Sequence, residues 1–363
     1  MPMANSTHYR VTSRVNRRPL KQRTPTKLAL KIAVEATMYN PTPLNLLSSL
    51  DSISAARLSS YRRFFNPASD TELYGLYCWN EVISTNFMRL TGIVEVALRN
   101  RFHLALSQYA MAQHPSRIIG SADANNWYEV LALSGKSSEK VQAVTHDRYW
   151  NKAQKRYIYT PKLHPVSPNQ VIANMTFGFW APLLDLGLSW NTIIPTIFPY
   201  HRYASNAGHW NNKTNVGTVY ARLETLRSLR NRVAHFEPLW KIPDIKEEKK
   251  EVKGVTVNVE YPAPATEAEV LARLNMLYRR ITQTLHWLSK DRASDHEQSE
   301  FHQKSLYLMT QEALDGFKCG YAHSDVKLSS MTKSWGMKLV LKSGKPIQIS
   351  HQQKVIGNFY PTH

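Results

Sequence analysis

The sequence predicts an all-α protein, a helical bundle with extra helices, a small β excursion and flexible basic termini. Three stretches carry this prediction because apolar residues recur in each at the spacing of one or more helix faces. They are residues 73–106, 215–235 and 266–288. With 363 residues, of which 42% are hydrophobic and 20% charged, the chain is long enough to bury a large core.

The positive charge of the chain is concentrated at its two ends. The formal net charge is +19. Residues 1–37 hold eight Lys or Arg and one acid, and residues 319–363 hold six Lys and one Asp. Basic ends favour a polyanionic partner, most often nucleic acid, although a solvated tail has the same composition. We therefore expect a basic, disordered leader at 1–40 and a basic C-terminal extension with a candidate hairpin at 291–363.

The N-terminal leader has three interpretations, which stay open. It is a disordered tail, or an organelle transit peptide, which is also rich in Arg and poor in acids, or an artefact ahead of a natural start at Met38. A secretory signal peptide is not predicted, because Lys31 and Glu35 interrupt the apolar run that begins at Leu28.

Cysteine usage and hydropathy favour a cytoplasmic protein. The two cysteines, Cys78 and Cys319, give no disulfide framework, which indicates a reducing compartment. Residues 171–200 are apolar, but proline, aspartate and asparagine interrupt them, so they predict buried core and no membrane contact. The histidines show no tight metal-ligand spacing, so we expect neither a metal site nor another cofactor.

Residues 41–290 are expected to form the main domain. Helical spacing begins near Leu44 and stops at Asn66-Pro67. A second helix, capped within Ser69–Thr71, then continues for some forty residues. It is either one buried helix or a helical pair broken near Gly92.

Residues 137–154 predict a basic amphipathic helix that leads into an aromatic and basic cluster. The cluster contains Tyr149, Trp150, Lys152, Lys155, Arg156 and Tyr157. Basic residues interleaved with aromatic ones are typical of surfaces that bind single-stranded nucleic acid, because bases stack on the rings and phosphates pair with the cations. The alternative is an exposed helix whose aromatic edge faces the core.

The remaining elements follow from caps and periodicity. Asn215 is expected to cap the 215–235 helix, and Pro238 to terminate it. Residues 239–265 are an excursion that contains a small strand within 255–261. After the helix at 266–288 we expect a weaker helix at 303–318 and a hairpin that pairs 337–340 with 347–349.

The stretch Leu226–His235 holds groups that can move a proton and hold a phosphate. On a helical wheel Arg230 falls inside an apolar stripe, so its guanidinium needs a partner or an anion. Asn231 and His235 are i and i+4 neighbours, so they lie on one face of the helix, which is not the face of Arg230. On the wheel His235 lies about 140° from Arg230. Arg230 and His235 can line one site only if the helix loosens before His235, or if the stripe is a dimer seam.

The chemistry that fits these groups is RNA cleavage by attack of a ribose 2′-OH on its own phosphate. His235, at a helix C-terminus, can serve as general acid or base, and Arg230 can stabilise charge on the phosphate. Asn231 can fix the imidazole tautomer or hold a phosphate oxygen. The alternative is structural: Arg230 pairs with a core carboxylate such as Glu95, and His235 caps the helix.

The motif from Arg230 to His235 resembles the Arg-Asn-x3-His signature of HEPN domains, which are all-helical and often metal-independent ribonucleases. Five ordered stretches resemble the Abi-like (abortive infection bacteriophage resistance) family within that group. They are Arg57–Phe65, Glu72–Asn80, Val94–Asn100, Met175–Trp180 and Leu226–Trp240. The resemblance covers about residues 50–290.

The resemblance implies a HEPN-like homodimer that cleaves RNA in phage defence or as a toxin, with an antitoxin or regulatory protein as a further candidate partner. Arg230, Asn231 and His235 are then catalytic. The expected supporting or RNA-binding residues are Glu95, Arg99, Asn100, Arg227 and Arg232, with Glu95 and Arg99 paired across one helical turn. The alternative is a non-catalytic HEPN module that binds RNA or a partner protein.

Overall fold

The computed structural model describes residues 43–319, apart from positions 134, 252, 254 and 255, and two strands at 347–351 and 354–359. Helices dominate this part of the chain, and its strands form three antiparallel pairs. The prediction of an all-α fold with small β excursions is confirmed. The expected leader and the predicted strand at 337–340 lie outside the described residues.

The helices and strands are numbered in chain order. The helices are α1 (Leu46–Ile53), α2 (Ala55–Phe65), α3 (Asp70–Gln113), α4 (Trp127–Val130), α5 (Gly135–Thr145), α6 (Pro168–Ala173), α7 (Trp190–Ile197), α8 (Ala207–Trp210), α9 (Lys213–Ala234), α10 (Glu267–Leu288), α11 (Lys290–Glu297), α12 (Glu300–Leu308) and α13 (Gln311–Lys318). The strands are β1 (His146–Asn151), β2 (Arg156–Pro161), β3 (Ile245–Lys246), β4 (Val259–Tyr261), β5 (Ile347–His351) and β6 (Lys354–Phe359). Short 3-10 helices occur at Pro115–Arg117, Phe177–Phe179, Ala181–Asp185 and Leu239–Lys241.

Helix α3 is the central helix of the bundle and runs unbroken for 44 residues. Ser69 caps it, because its hydroxyl accepts a hydrogen bond from the Glu72 amide at 3.2 Å. Helices α7, α9, α10 and α13 all pack on α3, so its apolar residues are buried on several faces. The break considered near Gly92 is absent, since this packing outweighs the roughly 1 kcal/mol that one glycine costs a helix. No helix of the described residues is long and apolar enough to cross a membrane.

Helix α9 carries the predicted site and begins earlier than expected. The Asn212 side chain accepts a hydrogen bond from the Thr214 amide at 2.8 Å, so Asn212 is the cap and the prediction of Asn215 was wrong. Asn215 already lies in the first turn, and its amide group donates to the His209 carbonyl at 2.8 Å. The apolar stripe of α9 lies in the core of the chain, because Val219, Leu223, Leu226, Leu229 and Val233 are all buried.

The C-terminal end of α9 is closed by a turn at His235 and Phe236. Phe236 has a φ of 48°, in the left-handed region. Its amide donates to the Val233 carbonyl at 3.2 Å, and the Glu237 amide donates to the Arg232 carbonyl at 3.0 Å. These two bonds form a Schellman motif, which satisfies the last carbonyls of the helix. The helix therefore ends before the proline, as predicted.

Residues 137–154 were predicted as one helix, and this prediction was wrong. Helix α5 ends at Thr145, and β1 and β2 form an antiparallel hairpin. Tyr149 lies opposite Ile158, and Trp150 lies opposite Tyr157. Aromatic and β-branched residues pair favourably across two strands, and this pairing overrides the helical spacing of the charged residues.

The C-terminal helices also differ from the prediction. The single helix expected at 303–318 is two helices, because Thr310 starts a new one by accepting a hydrogen bond from the Ala313 amide at 3.3 Å. The small strand expected within 255–261 is confirmed as β4, which pairs with β3. Residues 347–349 form a strand as predicted, but among the described residues the partner is β6, which follows β5.

Candidate functional site

A basic cleft of about 560 Å³ opens beside the second half of α9. Its walls come from the start of α5, from the 3-10 helices between α6 and α7, and from α9 itself. The charged residues that line it are Lys136, Lys140, Glu224, Arg227 and Arg230. Asn231 lines it as well, so two of the three predicted catalytic residues face this cleft. Four cations against one carboxylate favour an anionic ligand.

The cations of the cleft lie close enough to influence one another. Burial, together with the neighbouring charges of Arg227 and Lys136, lowers the pKa of the Lys140 ammonium, while Glu224 opposes the shift. Arg227 pairs with Glu224, and the guanidinium Nη2 lies 2.6 Å from the carboxylate Oε2. A bound phosphate would relieve this repulsion, because it adds negative charge among the cations.

Gly178 shapes the wall that faces Arg227. A Cβ atom at this position would lie 3.0 Å from Cδ of Arg227, so a larger residue would push the arginine side chain away. The glycine therefore lets the stem of Arg227 lie directly against the wall. Arg227 was expected at the site from the sequence, whereas Lys136 and Lys140 were not, although their i and i+4 spacing already indicated one shared helix face.

Arg230 contacts helix α3 and the cleft at once. Its Nε lies 3.3 Å from the Glu95 carboxylate, and 34% of the arginine side chain stays exposed. The contact between Arg230 and a core carboxylate, named as the structural alternative, is thus present. The pair expected between Glu95 and Arg99 was wrong. Arg99 instead donates to the carbonyl of Ala173 at 2.9 Å, which has no partner within α6 because it belongs to the last residue of that helix.

Asn231 and His235 both present exposed side chains. Within the part of the chain that the structure describes, neither side chain makes a hydrogen bond or an ion pair. His235 is the C-cap residue beyond the end of α9 and does not line the cleft. The structure therefore brings Arg230 and Asn231 together in one cleft and leaves His235 outside it.

The backbone of the His235 turn is held by residues that are distant in sequence. The Arg57 guanidinium donates to the carbonyls of His235 at 3.1 Å and of Phe236 at 3.2 Å. The buried Asn80 side chain accepts a hydrogen bond from the Leu239 amide at 3.2 Å. The stretches that contain Arg57 and Asn80 carry the family resemblance, but a structural role for these two residues was not predicted. Their role was missed because no local pattern shows contacts across more than a hundred residues.

Arg57 also lines a polar pocket next to the His235 turn, together with Tyr77 and Glu81. Burial raises the pKa of the Glu81 carboxyl, while a hydrogen bond from Tyr77 and the charge of Arg57 oppose the shift. The Arg57 charge therefore balances a carboxylate on α3 at the same time as its guanidinium holds the turn. This pocket and the cleft are separate features of the described surface.

The other predicted supporting residues do not line the cleft. Arg232 pairs with Glu237 at 3.1 Å across the helix end. Asn100 is exposed on α3, and its side chain has no hydrogen bond to a described residue. Within the described ranges, no group of three or more His, Cys, Asp or Glu side chains could hold a metal ion.

The five stretches that carry the family resemblance meet around the end of α9. Glu95 from the third stretch contacts Arg230, and Gly178 from the fourth lies against Arg227. The Trp240 ring packs against Phe65 from the first stretch and Trp79 from the second, with centroid distances of 4.9 and 6.2 Å. Each of the first four stretches thus contacts the fifth, Leu226–Trp240.

The family described as Abi-like protein matches residues 48–241, which is more than half of the chain. The chain belongs to the Abi-like family. The Abi-like match contains the whole cleft and the His235 turn, but it ends well before residue 290, where the resemblance was expected to end. Membership in the Abi-like family implies a role in abortive infection, a form of phage defence. No curated protein matches the chain, and no solved structure matches it.

Proposed function

We propose that this Abi-like protein is a metal-independent endoribonuclease that acts in abortive infection or as a toxin-like defence protein. The observation that supports this proposal is the cleft in which Arg230 and Asn231 lie beside Lys136, Lys140 and Arg227. Clustered cations on a concave surface suit the phosphate backbone of a nucleic acid. The likeness of the motif to the HEPN signature indicates which reaction this backbone would undergo.

In this reaction the ribose 2′-oxygen attacks the adjacent phosphorus, and the bond from phosphorus to the 5′-oxygen breaks. A neutral His235 imidazole accepts the proton of the 2′-OH, and a second, protonated imidazole gives a proton to the departing 5′-oxygen. Arg230 stabilises the negative charge that develops on the phosphate, and the Asn231 amide donates to a phosphate oxygen. The products are a 2′,3′-cyclic phosphate and a 5′-hydroxyl.

The position of His235 outside the cleft suggests that the complete site needs two chains. We propose a homodimer in which the His235 turn of one copy borders the cleft of the other, so that two imidazoles serve each site. The apolar stripe of α9 is not the seam, because its residues are buried within the chain. Phe236 is 38% exposed beside His235 and is a suitable contact between copies.

The proposal extends to location and control. A cytoplasmic location gives access to RNA during phage infection. An antitoxin or another regulatory protein would restrain an enzyme that otherwise damages the RNA of its own cell.

The test is incubation of the purified protein with RNA in the presence of EDTA. The variants are Asn231→Ala and His235→Ala, both at exposed side chains without described partners, so the fold is expected to persist. The matched control is His286→Ala, an exposed histidine in the last turn of α10. We expect wild type and the control to produce 2′,3′-cyclic phosphate ends, and His235→Ala to cleave about 100-fold more slowly or worse.

Two outcomes would contradict the proposal: RNA that stays intact with every protein, or equal cleavage by wild type and His235→Ala. Arg230→Ala is a weaker probe, because it leaves the Glu95 carboxylate without its partner. Arg230→Lys keeps a cation near that carboxylate but loses the bidentate geometry. We therefore expect this variant to remain folded and to cleave slowly.

A second candidate function is a non-catalytic module that binds RNA or a partner protein. The observation that favours it is that Arg230 already pairs with Glu95, while His235 occupies the C-cap position. This candidate predicts salt-sensitive RNA binding without cleavage. Lys140→Ala would then weaken binding, and His235→Ala would leave it unchanged.

A further inference from the structure

The hairpin formed by β1 and β2 carries four large aromatic side chains that are open to solvent. The exposed fractions are 48% for Tyr149, 51% for Trp150, 49% for Tyr157 and 38% for Tyr159. Of the twelve strand residues none is buried, and only three are half-buried. Exposed aromatic residues normally occur singly, and a cluster of them marks an interaction surface.

The register of the hairpin places three of these rings on one face. Residues directly opposite each other in an antiparallel pair share a face, and Trp150 lies opposite Tyr157 while Arg148 lies opposite Tyr159. The centroids of Trp150 and Tyr157 are 5.0 Å apart. The Arg148 guanidinium lies 3.5 Å from the centroid of the Tyr157 ring. This face, which we call the aromatic face, therefore combines three rings with a cation.

The same hairpin is strongly basic. The cations within residues 146–162 are Arg148, Lys152, Lys155, Arg156 and Lys162, and the one acid is Asp147. None of the five cations forms an ion pair with a carboxylate of the described residues. The turn that carries two of them is ordered by the Asn151 side chain, which accepts a hydrogen bond from the Gln154 amide at 2.9 Å. The surface is thus ordered and charged, and it has no acidic partner among the residues that the structure describes.

We propose that the aromatic face of this hairpin binds an unpaired stretch of RNA. Bases would stack on Trp150, Tyr157 and Tyr159, and the backbone phosphates would pair with the surrounding cations. Charge complementarity indicates a polyanion, and the rings indicate one with free planar faces, which a base-paired duplex does not offer. That the ligand is RNA and not DNA rests on the proposed function. That the ligand is single-stranded rests on the hairpin alone.

The hairpin is also continuous with the wall of the cleft. Strand β1 follows helix α5 directly, and α5 carries Lys136 and Lys140, which line the cleft. At a rise of 1.5 Å per residue, His146 lies roughly 9 Å along the helix from Lys140. An RNA chain that leaves the cleft along α5 would therefore reach the hairpin within a few nucleotides. The hairpin would lengthen the RNA contact and select RNA that is single-stranded next to the site of cleavage.

The test is fluorescence anisotropy with a labelled single-stranded RNA and with a duplex of the same sequence. Full-length His235→Ala protein is the background, so that the probe is not consumed. We expect Trp150→Ala combined with Tyr157→Ala to weaken single-strand binding about tenfold or more, with little change for the duplex. The matched control is Phe301→Ala, because this exposed ring also lies under an arginine, at 3.9 Å from Arg89. We expect it to bind like the background protein.

A separate variant tests the charges of the hairpin. Replacing Lys152, Lys155 and Arg156 with glutamine should reduce affinity and also flatten the dependence of log affinity on log salt. The aromatic variant should keep the salt dependence, because it removes no cation. Both variants are at exposed positions, and circular dichroism would show whether the fold is kept.

The proposal is overturned if the aromatic variant binds single-stranded RNA as tightly as the background protein, or if Phe301→Ala loses as much affinity. It is also overturned if duplex and single strand lose affinity equally. Failure of the proposed function would look different: wild type would leave RNA intact while the hairpin variants still lost binding. The two hypotheses can therefore fail independently.

Discussion

Phe236 is the residue at which helix α9 is made to end. Its φ of 48° is a conformation that glycine adopts freely and that costs other residues about 1 kcal/mol. The Schellman hydrogen bonds and the two bonds from Arg57 hold it there. The backbone at His235 is thus determined by its surroundings, while the imidazole stays exposed and available for chemistry.

A comparison of glycine and alanine at position 236 would measure this strain. Both substitutions remove the aromatic ring, but only glycine relieves the left-handed backbone. We expect Phe236→Gly to be about 1 kcal/mol more stable than Phe236→Ala in urea unfolding. The control position is Ser228, which is exposed within α9. There we expect the reverse order, with Ser228→Ala more stable than Ser228→Gly by a similar amount. Equal stabilities at position 236 would show that the turn is not strained.

At the scale of the elements, the Asn80 side chain joins α3 to the segment after α9 by a hydrogen bond with its backbone. Asn80 on α3 is 1% exposed, and its Oδ1 accepts a hydrogen bond from the Leu239 amide. The 3-10 helix that follows places Trp240 among Phe65 and Trp79. This contact positions the His235 turn against α3, because only three residues separate His235 from Leu239.

Removal of the Asn80 side chain should leave the Leu239 amide buried without a partner. We expect Asn80→Ala to lower the free energy of unfolding by about 1–3 kcal/mol. The control is Asn86→Ala on the same helix. Asn86 is 6% exposed and donates only to the Val82 carbonyl of α3 itself, so its loss should cost less. Equal losses in urea titrations of the two variants would argue against a special role for Asn80.

At the scale of the whole molecule, one buried and one half-buried histidine make the fold sensitive to acid. Burial, and next the neighbouring His302, lowers the pKa of His296 to about 4, and burial and next Arg202 lower that of His201 to about 4. His296 is 4% exposed, and its Nε2 lies 2.8 Å from the Tyr278 hydroxyl. Both imidazole rings are therefore neutral in the folded protein at pH 6. At the same pH a part of the histidine side chains in the unfolded protein is protonated.

Because the folded pKa is lower than the unfolded one, stability is fully present above about pH 6.5 and is lost as the pH falls towards 4. For His296 alone the loss is on the order of 3 kcal/mol at the end of this range. We expect urea unfolding at several pH values to show this decline. His296→Gln should flatten it without abolishing it, since His201 remains. An identical slope in wild type and variant would contradict the assignment to His296.

Local signals predicted much of this fold. The cap at Ser69 and the stop at Asn66 depend on neighbouring residues, so they are visible in the sequence. The hairpin at β1 and β2 was missed because its strands are stabilised by pairs across the turn. The Glu95 and Arg99 pair was wrong because each side chain found a better partner on another helix.

The sequence by itself determined the helical class of this protein, the buried stripe of α9 and the end of that helix before Pro238, since helical period and proline geometry act over a few residues. Only the tertiary structure decided what the motif residues do. It placed Arg230 and Asn231 in a cleft with Lys136 and Lys140, and it put His235 on a turn held by Arg57. These contacts join residues that are distant along the chain, and no local periodicity encodes which helices will meet.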